Sequence, residues 1–161
     1  IYPNQVWLDG LYMGQPFYMQ YEVEYNNCKN CMDSYNQFIN VYKTMRDEKT
    51  GLYYHGYDES REMFWADKET GLSKNFWLRS LGWFSMALLD TLNIAPDRGS
   101  ENWNKLKSIF IDLCESMLKF QDKSGMWWQV PNYPGKGKNY LETSGSAIFA
   151  YSLLNTFMFP E

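Results

Sequence analysis

Asp9 stands one residue before Gly10, between Trp7 and Tyr12, where an apolar run begins. A carboxyl group at that position has two uses. It can cap the first turn of a helix by accepting from free backbone N–H groups, or, among aromatic side chains that disfavour its ionised form, it can act as a general acid. Arg79 stands between Trp77 and Trp83 at the head of a second apolar run. Its planar fork either closes an internal ion pair or holds a carboxylate on a ring stacked against the indoles. His55, the single histidine, lies in the aromatic stretch Tyr53-Tyr54-His55-Gly56-Tyr57, which suits a satisfied structural imidazole or a site residue. Glu142, Ser144 and Ser146 open a third apolar run and read most simply as helix caps. Cys28 and Cys31 form a CxxC with Cys114 far away. Without a second pair or a nearby histidine they do not make a zinc site, so thiols on a helix surface and in the core are expected, and no metal.

The elements that must position these residues are helical. Residues 30–46 (Met32, Tyr35, Phe38, Ile39, Tyr42, Met45) and 101–120 (Trp103, Leu106, Ile109, Phe110, Leu113, Met117) place apolar side chains at helical spacing on one face. Residues 10–25, 77–92 and 143–158 are apolar nearly all round, as expected of helices buried on every side. Gly10, Gly82 and Gly145 open these three runs at separations of 72 and 63 residues. The polar turn Asp47–Gly51 and its aromatic sequel are repeated at Asp122–Gly125, each time after an amphipathic helix. The order is inner, outer, inner, outer, inner. Such hairpins stack side by side and close into an α/α toroid. Six hairpins of about 65 residues need on the order of 400 residues, so the expected fold is all-α, a partial (α/α)6 toroid with about two and a half hairpins present. Either a larger parent or another copy of the chain, a homo-oligomer, would complete it.

Composition narrows the function. Lys+Arg 15 against Asp+Glu 19 and pI ≈ 5.1 argue against a nucleic-acid partner. No apolar run approaches the ~20 residues that span a bilayer, so no membrane partner is expected. Trp 7, Tyr 13 and Phe 10 are more aromatics than a core of this size usually holds, and Tyr and Trp stack on sugar rings while hydrogen-bonding their hydroxyls. Carbohydrate is the ligand this points to.

At this point three segments resemble a known family. Trp7-Leu-Asp9-Gly-Leu-Tyr-Met13, Trp77-Leu-Arg79-Ser-Leu-Gly-Trp83 and Leu141-Glu-Thr-Ser-Gly-Ser-Ala147 look, in this order, like motifs of the family 105 glycoside hydrolases, the unsaturated rhamnogalacturonyl hydrolases, with the family 88 unsaturated glucuronyl hydrolases as relatives. The resemblance implies residues 1–161 as the C-terminal part of a single (α/α)6 domain whose N-terminal part is absent. It implies a bacterial enzyme of carbohydrate metabolism, active in pectin degradation, that releases terminal Δ4,5-unsaturated galacturonic acid from rhamnogalacturonan oligosaccharides. Asp9 is then the general acid/base, and Trp7, Met13, His55, Trp77, Arg79 and Trp83 line the subsite for the unsaturated sugar, with no cofactor. One carboxyl suffices for that reaction, because the C4=C5 bond is an enol ether that a single acid can protonate; ordinary glycosidases need two. A family 88-like hydrolase of glycosaminoglycan fragments, a non-catalytic carbohydrate-binding helical module and a helical-repeat scaffold are the alternatives. No charged-then-apolar leader follows Ile1, so the chain reads as a processed or excised piece with no address of its own; bacterial cytoplasm and periplasm both handle such sugars.

Overall fold

The apolar spacing becomes five helices, α1 (Gly10–Tyr25), α2 (Cys31–Met45), α3 (Leu78–Ile94), α4 (Glu101–Leu118) and α5 (Thr143–Asn155), in a computed structural model that describes residues 2–156. All five expected helices are present; positions 157 and 158 of the last run lie outside the described residues. The fold is all-α as expected, with one small addition. Two short strands, β1 (Gln5–Trp7) and β2 (Gly56–Asp58), pair antiparallel with Trp7 opposite Gly56. Three residues are too few for alternation to register in sequence.

Helix α3 packs between α1 and α5, and the outer helices lie behind, α2 against α1 and α4 against α3. This arc of two and a half hairpins is a partial (α/α)6 toroid. Two of the five helices start on a side-chain cap. The Ser100 hydroxyl caps α4 by accepting from the Trp103 N–H at 3.1 Å, and the Glu142 carboxylate caps α5 by accepting from Ser144 N–H at 3.1 Å and Gly145 N–H at 2.7 Å. Small residues bring α3 and α5 close: a Cβ on Gly145 would fall 2.5 Å from Leu78 Cγ, and one on Gly82 would fall 3.0 Å from Ile148. In the same seam the buried hydroxyls of Ser85 and Ser152 satisfy one another at 2.8 Å.

The expectation that all three inner helices are buried on every side holds for α3 and fails for its neighbours. Met13, Phe17, Tyr21 and Tyr25 of α1, and Tyr151 and Leu154 of α5, are exposed, because each of these helices has one inner neighbour where α3 has two. Behind them Arg46 grips Asp112 through two hydrogen bonds of 2.8 and 3.0 Å, and the Tyr35 hydroxyl donates to Asp97; both bonds tie the α2 layer to the α4 side of the arc.

Cys28 and Cys31, expected as thiols, are instead joined in a disulfide across the α1–α2 turn. The turn brings their Cα atoms to 5.0 Å, within the range a disulfide spans. Buried Glu22 organises it, accepting from the Asn30 backbone N–H at 2.7 Å and the Asn26 amide at 2.9 Å. Burial raises the Glu22 pKa, but these hydrogen bonds outweigh it and hold the carboxyl below its ordinary value. Cys114 is the expected core thiol, pushed by burial up to about 12. No described helix is long and apolar enough to cross a membrane.

Candidate active site

Three similar turns launch the walls of a cleft. In the first, Gly51 N–H donates to Asp47 O at 2.8 Å, Asp47 N–H to Leu52 O at 2.8 Å, and the Asp47 carboxylate accepts from Thr50 N–H and hydroxyl at 2.9 and 2.7 Å. Asp67-Lys-Glu-Thr-Gly71-Leu72 repeats every one of these bonds, at 2.8, 2.9, 2.8 and 2.9 Å, and Asp122–Met126 does so with one residue fewer. Gly51, Gly71 and Gly125 have φ of +74°, +78° and +84°, the left-handed region that glycine enters without steric cost. The sequence comparison finds the first and third turns and misses the second, although Asp-x-x-Thr-Gly-Leu is identical in both. An extended stretch follows each: Tyr53–His55, Leu72–Trp77 and Met126–Val130.

These stretches enclose a cleft of about 530 Å³ with His55, Trp65, Phe76 and Trp77 in its wall. Asn75, Gln129 and Val130 also line a second arm of about 420 Å³, so the two adjoin. His55 is wedged edge-on between two indoles, with centroids 5.0 Å from Trp7 at 62° and 4.9 Å from Trp77 at 84°. Trp7 in turn meets Trp65 at 4.8 Å. A Cβ on Gly56 would lie 3.1 Å from Trp7 and 3.3 Å from Trp65, so the glycine makes room for this ring cluster.

Arg79 makes the internal ion pair and stacks on an indole. Its guanidinium carbon lies 4.3 Å from the Trp77 ring centroid, and Nη1 is 3.8 Å from Glu142 Oε1. The arginine side chain is 41% exposed against 8% for the glutamate, so the pair leaves most of the fork available to a ligand. Burial raises the Glu142 pKa, but its hydrogen bonds from Ser144 and Gly145 and the Arg79 charge outweigh it, leaving an ionised cap. Glu142 alone of the three expected caps fills that role; the Ser146 hydroxyl, inside α5, accepts from Trp127 N–H at 2.9 Å and donates to the Glu142 carbonyl at 2.6 Å, which ties the extended stretch to the helix.

Asp9 occupies the N-cap position of α1, yet its side chain makes no capping hydrogen bond. The Leu8 N–H donates to the His55 carbonyl at 3.0 Å, which fixes the start of α1 beside the imidazole. Burial lowers the His55 pKa and the Asp9 charge opposes that shift; the net is a lowered value, so the ring is neutral near pH 7. Its Nδ1 is buried without a hydrogen-bond partner among the described residues. Trp83 stacks on Tyr12 at 4.8 Å and 32°, one turn along α3 from Arg79 and three residues beyond Asp9. Met13 is 64% exposed, one turn beyond Asp9 on α1.

Of the seven residues singled out in sequence, the structure therefore joins Trp7, His55, Trp77 and Arg79 in direct contact, with Asp9 beside His55. Trp83 meets Tyr12 instead, and of the seven only His55 and Trp77 line the cleft; Trp7, Asp9, Met13, Arg79 and Trp83 are not part of its wall. Sequence reasoning missed Trp65, Gln129 and Val130. Trp65 had a signal in the unrecognised second turn just after it; Gln129 and Val130 had one in the extended run after Gly125. Among the described residues no group of three His, Cys, Asp or Glu could hold a metal ion.

The chain is similar to known proteins along almost its whole length. A family 105 glycoside hydrolase of C. acetobutylicum, of known structure, superposes with a TM-score of 0.92 at 45% identity, covering 98% of this chain and 44% of that one. The 24.9 kDa protein in the picA locus of Rhizobium radiobacter is 39% identical over 142 residues, 88% of this chain and 60% of that protein. The unsaturated rhamnogalacturonyl hydrolase YesR of Bacillus subtilis is 25% identical over 156 residues, 97% of this chain and 42% of its own length. The chain thus spans roughly two fifths to three fifths of these relatives. Residues 1–157 match Glycosyl Hydrolase Family 88, and with that match and these structural neighbours the chain belongs to that family.

Proposed function

We propose that this chain is the later part of a single (α/α)6 glycosidase domain that removes a terminal Δ4,5-unsaturated uronic acid from an oligosaccharide, with unsaturated galacturonic acid on rhamnogalacturonan as the substrate. The observation that carries this reading is the cluster of His55 between Trp7 and Trp77, with Arg79 stacked on Trp77 and the uncapped Asp9 beside it. An indole face suits a ring flattened by the double bond, and a partly exposed guanidinium suits its C6 carboxylate. The similarity to YesR supports the galacturonic substrate.

Asp9 carries the chemistry in this proposal. Its carboxylic acid gives a proton to C4 of the enol ether, leaving a cation at C5 shared with the ring oxygen. Water adds at C5, and the Asp9 carboxylate takes the proton that this water loses. The product is a hemiketal at C5, which opens and releases the rest of the saccharide. His55 and Arg79 hold the sugar carboxylate, and Trp77 and Trp83 shield the ring. The second reading is a glucuronyl hydrolase acting on glycosaminoglycan fragments, and the match to Family 88 is shared by both readings.

The test follows the ultraviolet absorbance of the C4=C5 bond in an unsaturated rhamnogalacturonan disaccharide, using the protein at its full natural length beside its Asp9→Asn variant. Loss of absorbance with the wild type alone is expected. Faster turnover of an unsaturated glycosaminoglycan disaccharide would move the assignment to the second reading, and no change with either enzyme would leave a binding module.

A further inference from the structure

We propose that the second arm of the cleft, about 420 Å³, is a binding site for a negatively charged sugar residue on the leaving-group side of the scissile bond. This rests on reading the His55–Trp77 end as the seat of the terminal sugar. The two arms adjoin at Asn75, Gln129 and Val130, and in this proposal a saccharide seated on Trp77 runs past Gln129 into the second arm.

The charge of the walls identifies the occupant. Among the described residues, the lining of the two arms includes Lys74, Lys136 and Lys138 and no carboxylate, in a chain that carries 19 acidic against 15 basic residues. None of the three lysines forms an ion pair with a described residue. A concave surface of one sign, set in a chain of the opposite net charge, concentrates ligands of the complementary sign.

The lysines are also carried on a loop held in shape. Gly135 and Gly137 adopt φ of +65° and +58°, and the Asn139 amide pins the loop from within. It donates to the carbonyls of Tyr133 at 2.7 Å and Val130 at 3.0 Å and accepts from the Val130 N–H at 3.0 Å. Lys136 Nζ lies 4.8 Å from the centroid of the Tyr133 ring. That ring, 40% exposed, offers a stacking face beside a cation, the pairing that a uronic acid residue with its ring and carboxylate would meet.

The experiment measures binding of saturated trigalacturonate and of its fully methyl-esterified form to the protein at its full natural length by isothermal titration, for the wild type and for Lys136→Ala combined with Lys138→Ala. The wild type should bind the acid form roughly ten-fold more tightly at low salt, with the difference shrinking in roughly 0.5 M salt. The double variant should lose about five- to ten-fold for the acid form and change little for the ester. Equal binding of both forms by the wild type, no binding of either, or a double variant unchanged for the acid form would overturn the proposal. Neither probe carries the C4=C5 bond, so the outcome is independent of the Asp9 chemistry, which the absorbance assay tests separately.

Discussion

Helices α3 and α1 both carry aliphatic and aromatic side chains around their circumference, yet α3 buries 11 of its 17 residues and α1 only 4 of its 16. Their neighbours make the difference. α3 lies between two inner helices and in front of α4, whereas α1 has α3 on one side and its row of Met13, Phe17, Tyr21 and Tyr25 on the other, open. Burial is therefore a property of position in the arc, and stability should concentrate in the body of α3. The proposed chemistry is placed elsewhere, at the heads of these helices, where Asp9 and Arg79 stand beside the loop-borne rings of His55 and Trp77.

The largest effect expected from this contrast is catalytic. Asp9→Asn at the head of α1 should lower turnover of the unsaturated disaccharide by roughly 1000-fold while leaving the denaturation midpoint nearly unchanged; a large fall in stability would make Asp9 a structural cap after all. In the body of α3 the balance reverses. Leu81→Ala removes a fully buried side chain and should cost about 3 kcal/mol in urea unfolding. Gly145→Ala at the α3–α5 seam, where the new methyl meets Leu78, should cost about 2 kcal/mol through overpacking, with a parallel loss of thermal stability.

A pH series sharpens the comparison at the site. The His55 pKa is lowered by burial from 6.5, so as pH falls through 6.5 the unfolded chain takes up the proton before the folded one and stability declines. The carboxylates with lowered values, Glu22, Asp58, Asp67, Asp122 and Glu142, keep their charge through this window, and their contribution is lost only as pH falls through their own depressed values. Urea midpoints at pH 7.5 and 5.5 should differ in the wild type and converge in His55→Gln. The smallest effect belongs to the open face of α1: Phe17→Ser should change the stability of this 161-residue chain by less than about 0.5 kcal/mol. In a longer natural chain whose further hairpins pack there, the same change should cost about 2 kcal/mol.

The helices were legible because period and length do not depend on what surrounds them. Residues 30–46 and 101–120 place an apolar stripe at helical spacing, and the observed α2 and α4 fall within those limits. Arg79 was legible as a conflict, a charge between two tryptophans on an apolar helix, which must be resolved by a partner or a ligand; its contacts with Trp77 and Glu142 resolve it. Lys136 and Lys138 gave no such signal, since lysines in a glycine-rich loop are ordinary solvent-facing residues until a cavity is found beside them. The second turn, Asp67–Leu72, was readable in principle and overlooked because it does not follow an amphipathic helix.

By itself the order of residues determined the five helices, the turn chemistry at Asp47 and Asp122, and the motifs that resemble a glycoside hydrolase. These are local properties, set by backbone preference and by side chains within a few positions of one another. Tertiary structure alone decided which inner helix is buried, that Cys28 and Cys31 are joined, and that His55 lies between Trp7 and Trp77 in a cleft extending towards Lys138. The disulfide is local, but the ring contacts bring together segments 48 residues apart between Trp7 and His55 and 22 apart between His55 and Trp77, and such proximity exists only once packed helices have fixed where their loops converge.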